Sequence, residues 1–245
     1  MNTHDPNLAM FSKKPTFVYV NGNAFDHDAK ETSASRDHIE IQNEFDQVEI
    51  DKYMKNGETY RLRRLTKYVA DTKTRSFEAL ENQIFFQGYD LNSYGSGIKR
   101  EYPQLSPSLV NNQVLQRLSF ACLDAIQPLH KETKWTVGVH FIRTVCTTDE
   151  MAKPSPDGAH QDGHDYLSIS LIKRENIEGG ATNILDIDKN VVSDFLLENY
   201  LQTVLVNDKT MYHDALPIRR VDPNKNGIRD VIIIDYDIRE DQQNG

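Results

Sequence analysis

The chain has only two cysteines in 245 residues, Cys122 and Cys146, and they stand too far apart to form a CxxC pair. Zinc-knuckle and dithiol redox motifs are thereby excluded, and both thiols read as small buried hydrophobes. Long apolar runs are also missing. Val231-Ile232-Ile233-Ile234 is typical of the longest, far short of the roughly 20 residues that cross a bilayer. No membrane partner is expected. The opening residues, Met1-Asn2-Thr3-His4-Asp5-Pro6, hold no basic segment followed by an apolar one, so a cytoplasmic location is expected. A basic excess is absent too: the formal net charge is −9, and one short cluster, Arg61-Leu62-Arg63-Arg64 with Lys67, does not reverse it. Nucleic acid is therefore not an expected partner. No internal repeat or low-complexity tract is present.

What is there changes in texture along the chain. Residues 1–15 are polar and read as frayed. A strand is predicted over 17–20, a loop over 24–38, a strand over 61–69 and a loop over 87–108. The spacing of Ile41, Phe45, Val48 and Tyr53 predicts a helix over 39–54. A stronger helix is predicted over 109–126, where Leu115, Leu118, Ala121, Cys122 and Ala125 share a stripe that Pro128 closes. After residue 130, β-branched alternation predicts strands over 135–143, 166–172, 181–187, 201–206 and 229–238, with a short helix over 191–200. Gly179-Gly180 and Asn224-Lys225-Asn226-Gly227 read as turns. The expected fold is mainly β: a double-stranded β-helix, or jelly roll, over 131–240 behind an α/β cap over 16–130, all in one domain over 1–245.

The chemistry concentrates at His160-Gln161-Asp162. Alternate residues of an extended segment share a face, so one imidazole and one carboxylate can grip the same ion. A second imidazole would complete two His and one carboxylate with open positions, the set that selects non-haem Fe(II). Local completion by His164 fails on two counts. As a zinc-protease motif, His160-Gln161-Asp162-Gly163-His164 has Gln where a general-base Glu is required. As one strand face, His160 and His164 would stand about 13 Å apart at ~3.3 Å per residue. His213, where the chain turns after a predicted strand, is the natural third ligand. Sixteen residues on, Arg229 shares a strand face with Val231 and Ile233. A guanidinium on an apolar face calls for a buried anion, and it suits a dicarboxylate co-substrate.

The ordered set His160-x-Asp162, His213 and Arg229, with Gly179-Gly180 and His213-Asp214-Ala215-Leu216-Pro217 around it, resembles the iron- and 2-oxoglutarate-dependent dioxygenases. Within them it is most similar to the bacterial hydroxylases of free L-amino acids, such as the L-isoleucine dioxygenases. The resemblance spans residues 58–238 and is strongest over 135–238. It implies Fe(II) on His160, Asp162 and His213, 2-oxoglutarate and O2 as co-substrates, ascorbate as an in vitro reductant, and Arg229 as anchor of the distal carboxylate. Arg219 and Arg220 compete for that last role. The retained carboxylate at Asp162 favours hydroxylation over halogenation. The implied substrate is a small molecule, a free and aliphatic L-amino acid. A peptide- or carrier-bound residue, another small metabolite, or a non-catalytic sensor are the alternatives.

For the substrate, Arg143 shares alternation with Val139 and Phe141 and is expected to point into the barrel, while His140 lies on the opposite parity. His164 and Asp165 are candidates for holding the ligands or meeting an ammonium. Arg61, Arg63 and Arg64 read as a solvated basic face. Tyr94, with Gly95 and Gly97 after it, has the chemistry of a lid but reads as loop. Gln161 should face away from the metal and has no assigned role.

Overall fold

The computed structural model describes residues 5–14, 16–25, 35–81, 83–86 and 97–239. Among these residues the cap begins with helix α1 (Pro6–Phe11), strand β1 (Phe17–Val20), helix α2 (Arg36–Phe45), and strands β2 (Glu49–Ile50), β3 (Arg61–Asp71) and β4 (Ser76–Ala79). Helix α3 (Gln113–Ile126) then leads into the long strand β5 (Lys134–Cys146). Strands β6 (Tyr166–Glu175), β7 (Ile177–Gly179), β8 (Thr182–Leu185), β9 (Val191–Phe195) and β10 (Thr203–Asn207) follow. The chain ends through β11 (Tyr212–Ala215), β12 (Ile218–Arg220) and β13 (Gly227–Ile238).

The main sheet runs β1-β10-β6-β13-β5-β3-β2, with β4 on β3; smaller sheets β11-β8-β9 and β12-β7 face it. Every pairing is antiparallel, and β13 lies between β5 and β6 over nearly its whole length. This is the expected jelly roll. The β-branched run Val231 to Ile234 takes the sheet's centre, where both strand faces are covered. Ile232, Ile234 and Tyr236 pack towards α3 with Val137, Val139 and Phe141. Val231 turns the other way, into a second core with Ile142, Ile169, Leu171 and Ile184 between the two sheet layers. Each fully buried side chain of this size contributes about 1.5–3 kcal/mol.

Three predicted elements are corrected. The helix expected over 39–54 is Arg36–Phe45; Ile41 and Phe45 do share its buried face, but Val48 is buried from the turn beyond and Ile50 pairs with Leu62. The helix expected from 109 begins at Gln113, because the Asn112 side chain accepts the Leu115 N–H at 3.1 Å and caps it there. A 3-10 turn, Pro107–Asn111, precedes it. The helix expected over 191–200 is strand β9 at its start, where Phe195 stacks on Tyr19 with ring centroids 5.5 Å apart. No helix among the described residues is long and apolar enough to cross a membrane. Tyr94 and Gly95 of the lid-like segment, like His4 and His27, lie outside the described residues.

Candidate metal centre and its cavity

The strand expected at His160 is a single bridge: His160 and His213 exchange both backbone hydrogen bonds, at 3.1 and 3.0 Å. His213 itself sits on β11 rather than in a turn. This bridge brings the two imidazoles, 53 positions apart in sequence, to 4.6 Å between ring centroids. Asp162 joins them from the loop that follows, its oxygens 3.5 Å from His160 Nε2 and 3.4 Å from His213 Nε2. One ligand atom from each of the three lies within 4.8 Å of the others.

The loop carrying Asp162 is held by a residue that sequence reasoning missed. The buried Asp208 carboxylate accepts the backbone N–H groups of Asp162, Gly163 and His164 at 3.2, 2.7 and 3.0 Å. Its other reach is towards His213, with Oδ1 3.6 Å from Nδ1. Gln161, expected to be idle, donates from Nε2 to the Asp208 carbonyl at 2.6 Å. Both side chains of this dipeptide therefore work: one towards the ion site, one to pin the loop.

The residues fit a divalent ion. His160 Nδ1 donates to the Gly158 carbonyl at 2.7 Å, which leaves Nε2 as a lone-pair donor. Burial would lower the His160 imidazole, but the hydrogen bond and charge of Asp162 outweigh it and raise the group to about 9. Burial would likewise raise Asp162, yet the two imidazoles hold it well below the usual carboxylate range. A cation bound here would take over the attraction that otherwise holds a proton among these donors, displacing it from His160 Nε2. Two imidazoles and one carboxylate, facing a cavity, are the donor set of non-haem Fe(II).

That cavity encloses about 860 Å³, counting its mouth to solvent. Ile142, Ile169, Val231 and Ile233 form its apolar floor. Arg229 lines one end at 3% exposure. Burial, with Arg174 nearby, lowers its guanidinium to about 10, and its Nε and Nη2 have no hydrogen-bond partner among the described residues. Thr182 Oγ1, on the same cavity, is unsatisfied as well. A buried guanidinium with free donors beside a hydroxyl suits an anion. Arg219 and Arg220 lie elsewhere: Arg219 is exposed against Glu178, and Arg220 binds Asp149 at 2.8 Å and the Thr147 carbonyl at 3.0 Å.

Two expected substrate contacts are corrected. Arg143 faces the helices, with Nε and Nη2 on Asp230 at 2.7 and 2.8 Å and Nη1 on Asp46 at 3.3 Å. Phe141, of the same parity, packs its ring 4.7 Å from Phe45 of α2. The cavity face of β5 is instead His140, Ile142 and Thr144. Both faces of the strand are buried, so alternation alone could not say which one holds the site. Asp165 also turns away from the cavity, accepting the Ile238 N–H at 2.7 Å and pairing with Lys209. His164 does line the cavity, but Asp235 at 2.9 Å and Asp237 at 2.8 Å engage both ring nitrogens. The supposed solvated face of β3 is inverted too: Arg61 and Arg63 line the cavity at 8% exposure each, and Arg64 is paired with Glu44. Their odd-numbered spacing on a strand was the available signal. Arg100 and Phe85, also on the wall, carried none.

Comparison with known proteins agrees with this geometry. Residues 42–235 match the family described as 2OG-Fe dioxygenase. The 3(1)-hydroxy-L-isoleucine 4-dioxygenase of Pantoea ananatis (strain AJ13355) is 27% identical over 149 residues, 59% of this chain. The match spans 60% of that relative's length. A bsmA homolog from Methylobium petroleophilum PM1 superposes with a TM-score of 0.83 over 95% of this chain and 92% of its own, at 21% identity. IDO from Bacillus thuringiensis gives a TM-score of 0.75 over 96% and 95%, at 16% identity. At these identities the structural likeness concerns the fold.

Proposed function

Because the chain belongs to the 2OG-Fe dioxygenase family, we propose that it is a cytoplasmic hydroxylase of a free, aliphatic L-amino acid. His160, Asp162 and His213 would hold Fe(II), and Arg229 with Thr182 would receive the distal carboxylate of 2-oxoglutarate. When bound, iron and 2-oxoglutarate together supply the oxidising chemistry, consuming O2 and releasing succinate and CO2 as one oxygen atom enters the substrate. The chain's own contribution is placement and exclusion of water. Asp208 fixes the loop that presents Asp162, the Gly158 carbonyl fixes the His160 tautomer, and the aliphatic floor keeps the reacting carbon in an apolar wall.

One observation carries the reading. The three metal-ligating side chains and the unsatisfied Arg229 guanidinium open onto the same cavity. The free amino acid is supported by the relative's name and by the cavity's remaining polar groups, among them Asp157 and Asp214, each with a buried carboxylate oxygen that no described residue donates to. Asp157 complements an ammonium. Arg143 and Asp165 have no place in this site, and His164 serves it as a wall residue.

The test is direct. Protein loaded anaerobically with Fe(II) is given 2-oxoglutarate, ascorbate and O2 with each proteinogenic amino acid. Succinate and a product one oxygen atom heavier are measured. Substrate-stimulated succinate is expected for at least one aliphatic amino acid and should vanish in Asp162→Ala. A complete panel without stimulation would sink the proposal.

A further inference from the structure

Arg63 presents a second unanswered cation in the same cavity, distinct from Arg229. It is 8% exposed, and its Nε is buried without a hydrogen-bond partner among the described residues. Its partners among the described residues are neutral: the Tyr102 hydroxyl, 3.4 Å from Nη1, and His140 Nδ1, 2.5 Å from Nη2. The guanidinium carbon also lies 4.5 Å from the Tyr102 ring centre and 4.9 Å from that of Phe85. His140 can accept from Arg63 because its other nitrogen, Nε2, faces Asp235 at 3.3 Å. The cation is thus oriented by four groups and neutralised by none of them. A buried guanidinium without an anion is costly, and a carboxylate is its bidentate complement.

Register separates this group from Arg229. Arg63 lies opposite Ile142, which lies opposite Val231, so Arg63 and Arg229 are two strands and one row of side chains apart on one sheet face. At ~4.8 Å per strand and ~3.3 Å per residue their Cα positions are about 12 Å apart. Arg63 leans towards His140, one row further from Arg229. The spacing leaves room for a separate carboxylate at each guanidinium.

We infer that Arg63 receives the α-carboxylate of the substrate, so that the substrate is a small acid with a free carboxylate rather than a peptide-internal or carrier-esterified residue. This rests on the reading of the cavity as a 2-oxoglutarate dioxygenase site, and it assigns the second acid that site must hold. Arg61, whose Nε and Nη2 are taken by Asp51 at 3.0 and 2.9 Å, is already neutralised and is not the receptor.

Calorimetric titration of anaerobic protein carrying Fe(II) and 2-oxoglutarate tests it with L-isoleucine, L-leucine and L-valine, each against its primary carboxamide. The carboxamide removes the charge and one acceptor oxygen and leaves the shape. At least one acid should bind about ten-fold or more tightly than its amide. Arg63→Gln should reduce that preference to about two-fold, and Arg63→Lys, which keeps charge but loses the fork, should fall between. Equal binding of acid and amide to the unaltered protein would overturn the inference without any variant having to fold. So would a preference that survives in Arg63→Gln, or the failure of all three acids to bind. Acid-selective binding without succinate formation would sink the catalytic reading and leave the Arg63 assignment standing. Succinate formed equally with acid and amide would do the reverse.

Discussion

Asp208→Asn isolates the carboxylate that organises the metal-ligand loop. In the structure, Oδ2 accepts from Gly163 and His164 at 2.7 and 3.0 Å, and Oδ1 accepts from Asp162 at 3.2 Å. Asparagine can keep the Oδ2 pair through its carbonyl oxygen. Its NH2 group then confronts the Asp162 N–H donor-to-donor, and the charge that strengthens all three bonds is gone. Losing one bond to a charged acceptor costs about 1.5–3 kcal/mol. The same substitution removes the negative charge 3.6 Å from His213 Nδ1, a through-space contact rather than a hydrogen bond, and with the loosened loop it should weaken metal affinity by about ten-fold, the low end for groups that orient metal ligands. Urea unfolding in excess chelator should therefore show Asp208→Asn destabilised by about 1.5–3 kcal/mol. Titration with a divalent ion should show the affinity loss separately. Asp208→Ala, which leaves three donors unmet, should be worse in both assays. A variant within about 0.5 kcal/mol of the parent in chelator, the range of an ordinary surface change, and equal to it in metal affinity would refute the role given to Asp208.

Other expectations follow from single contacts. A Cβ added at Gly138 would lie 2.0 Å from Asp235 Oδ1, so Gly138→Ala should displace the carboxylate that faces His140. A cost of about 1–3 kcal/mol in chemical denaturation is expected. Burial, then the Arg63 charge, lowers the His140 imidazole to about 4, against Asp235, which raises it, and the His164 charge, which lowers it. The unfolded chain therefore takes up a proton near pH 6.5 that the native protein refuses until about 4. Stability from this group is full above pH 6.5 and falls as pH drops through that window, by up to roughly 3 kcal/mol. Comparing urea midpoints of His140→Gln and the parent between pH 7 and 4 should recover that component, and parallel curves would contradict it. Arg229→Ala should weaken 2-oxoglutarate binding at least ten-fold in calorimetry, as expected from losing a charge-assisted pair of about 1.5–3 kcal/mol; the same defect in Arg219→Ala instead would overturn the anchor assignment.

The parts of the site legible in the sequence were those written as local pattern. His160 and Asp162 declare themselves two residues apart, and the alternation through Arg229, Val231 and Ile233 sets a guanidinium on an apolar face. The strands of the β-rich half announced themselves through β-branched residues, because the same side chains that pack between sheet layers favour extended backbone. Failures came where one pattern serves two burials. On β5 the residues of both parities are apolar or polar-and-paired, since helices cover one face and the small sheets the other. Arg143 was therefore expected on the cavity side, which belongs to the opposite parity of His140, Ile142 and Thr144. On β3, Arg61 and Arg63 were read as solvated because charge on a strand ordinarily means water. Their counter-charges and supports, Asp51, Tyr102 and His140, come from three separate segments.

Asp208 shows the deeper limit. It sits 46 residues from Asp162 and satisfies backbone rather than side chains, so no residue type near the ligands points to it. What demanded it was geometric. Asp162 leads into Gly163 at φ +91 in a half-exposed loop without regular pairing, and the N–H groups of such a loop find their acceptor outside it. Arg63 poses the complementary problem, a buried donor for which no described residue provides an anionic acceptor. In one case the fold closes the account internally, and the consequence is rigidity of the ligand loop. In the other it leaves the account open into a cavity, and the consequence is recognition. Telling these two cases apart requires the full set of partners around each polar atom, which pairing and burial determine together and residue order does not.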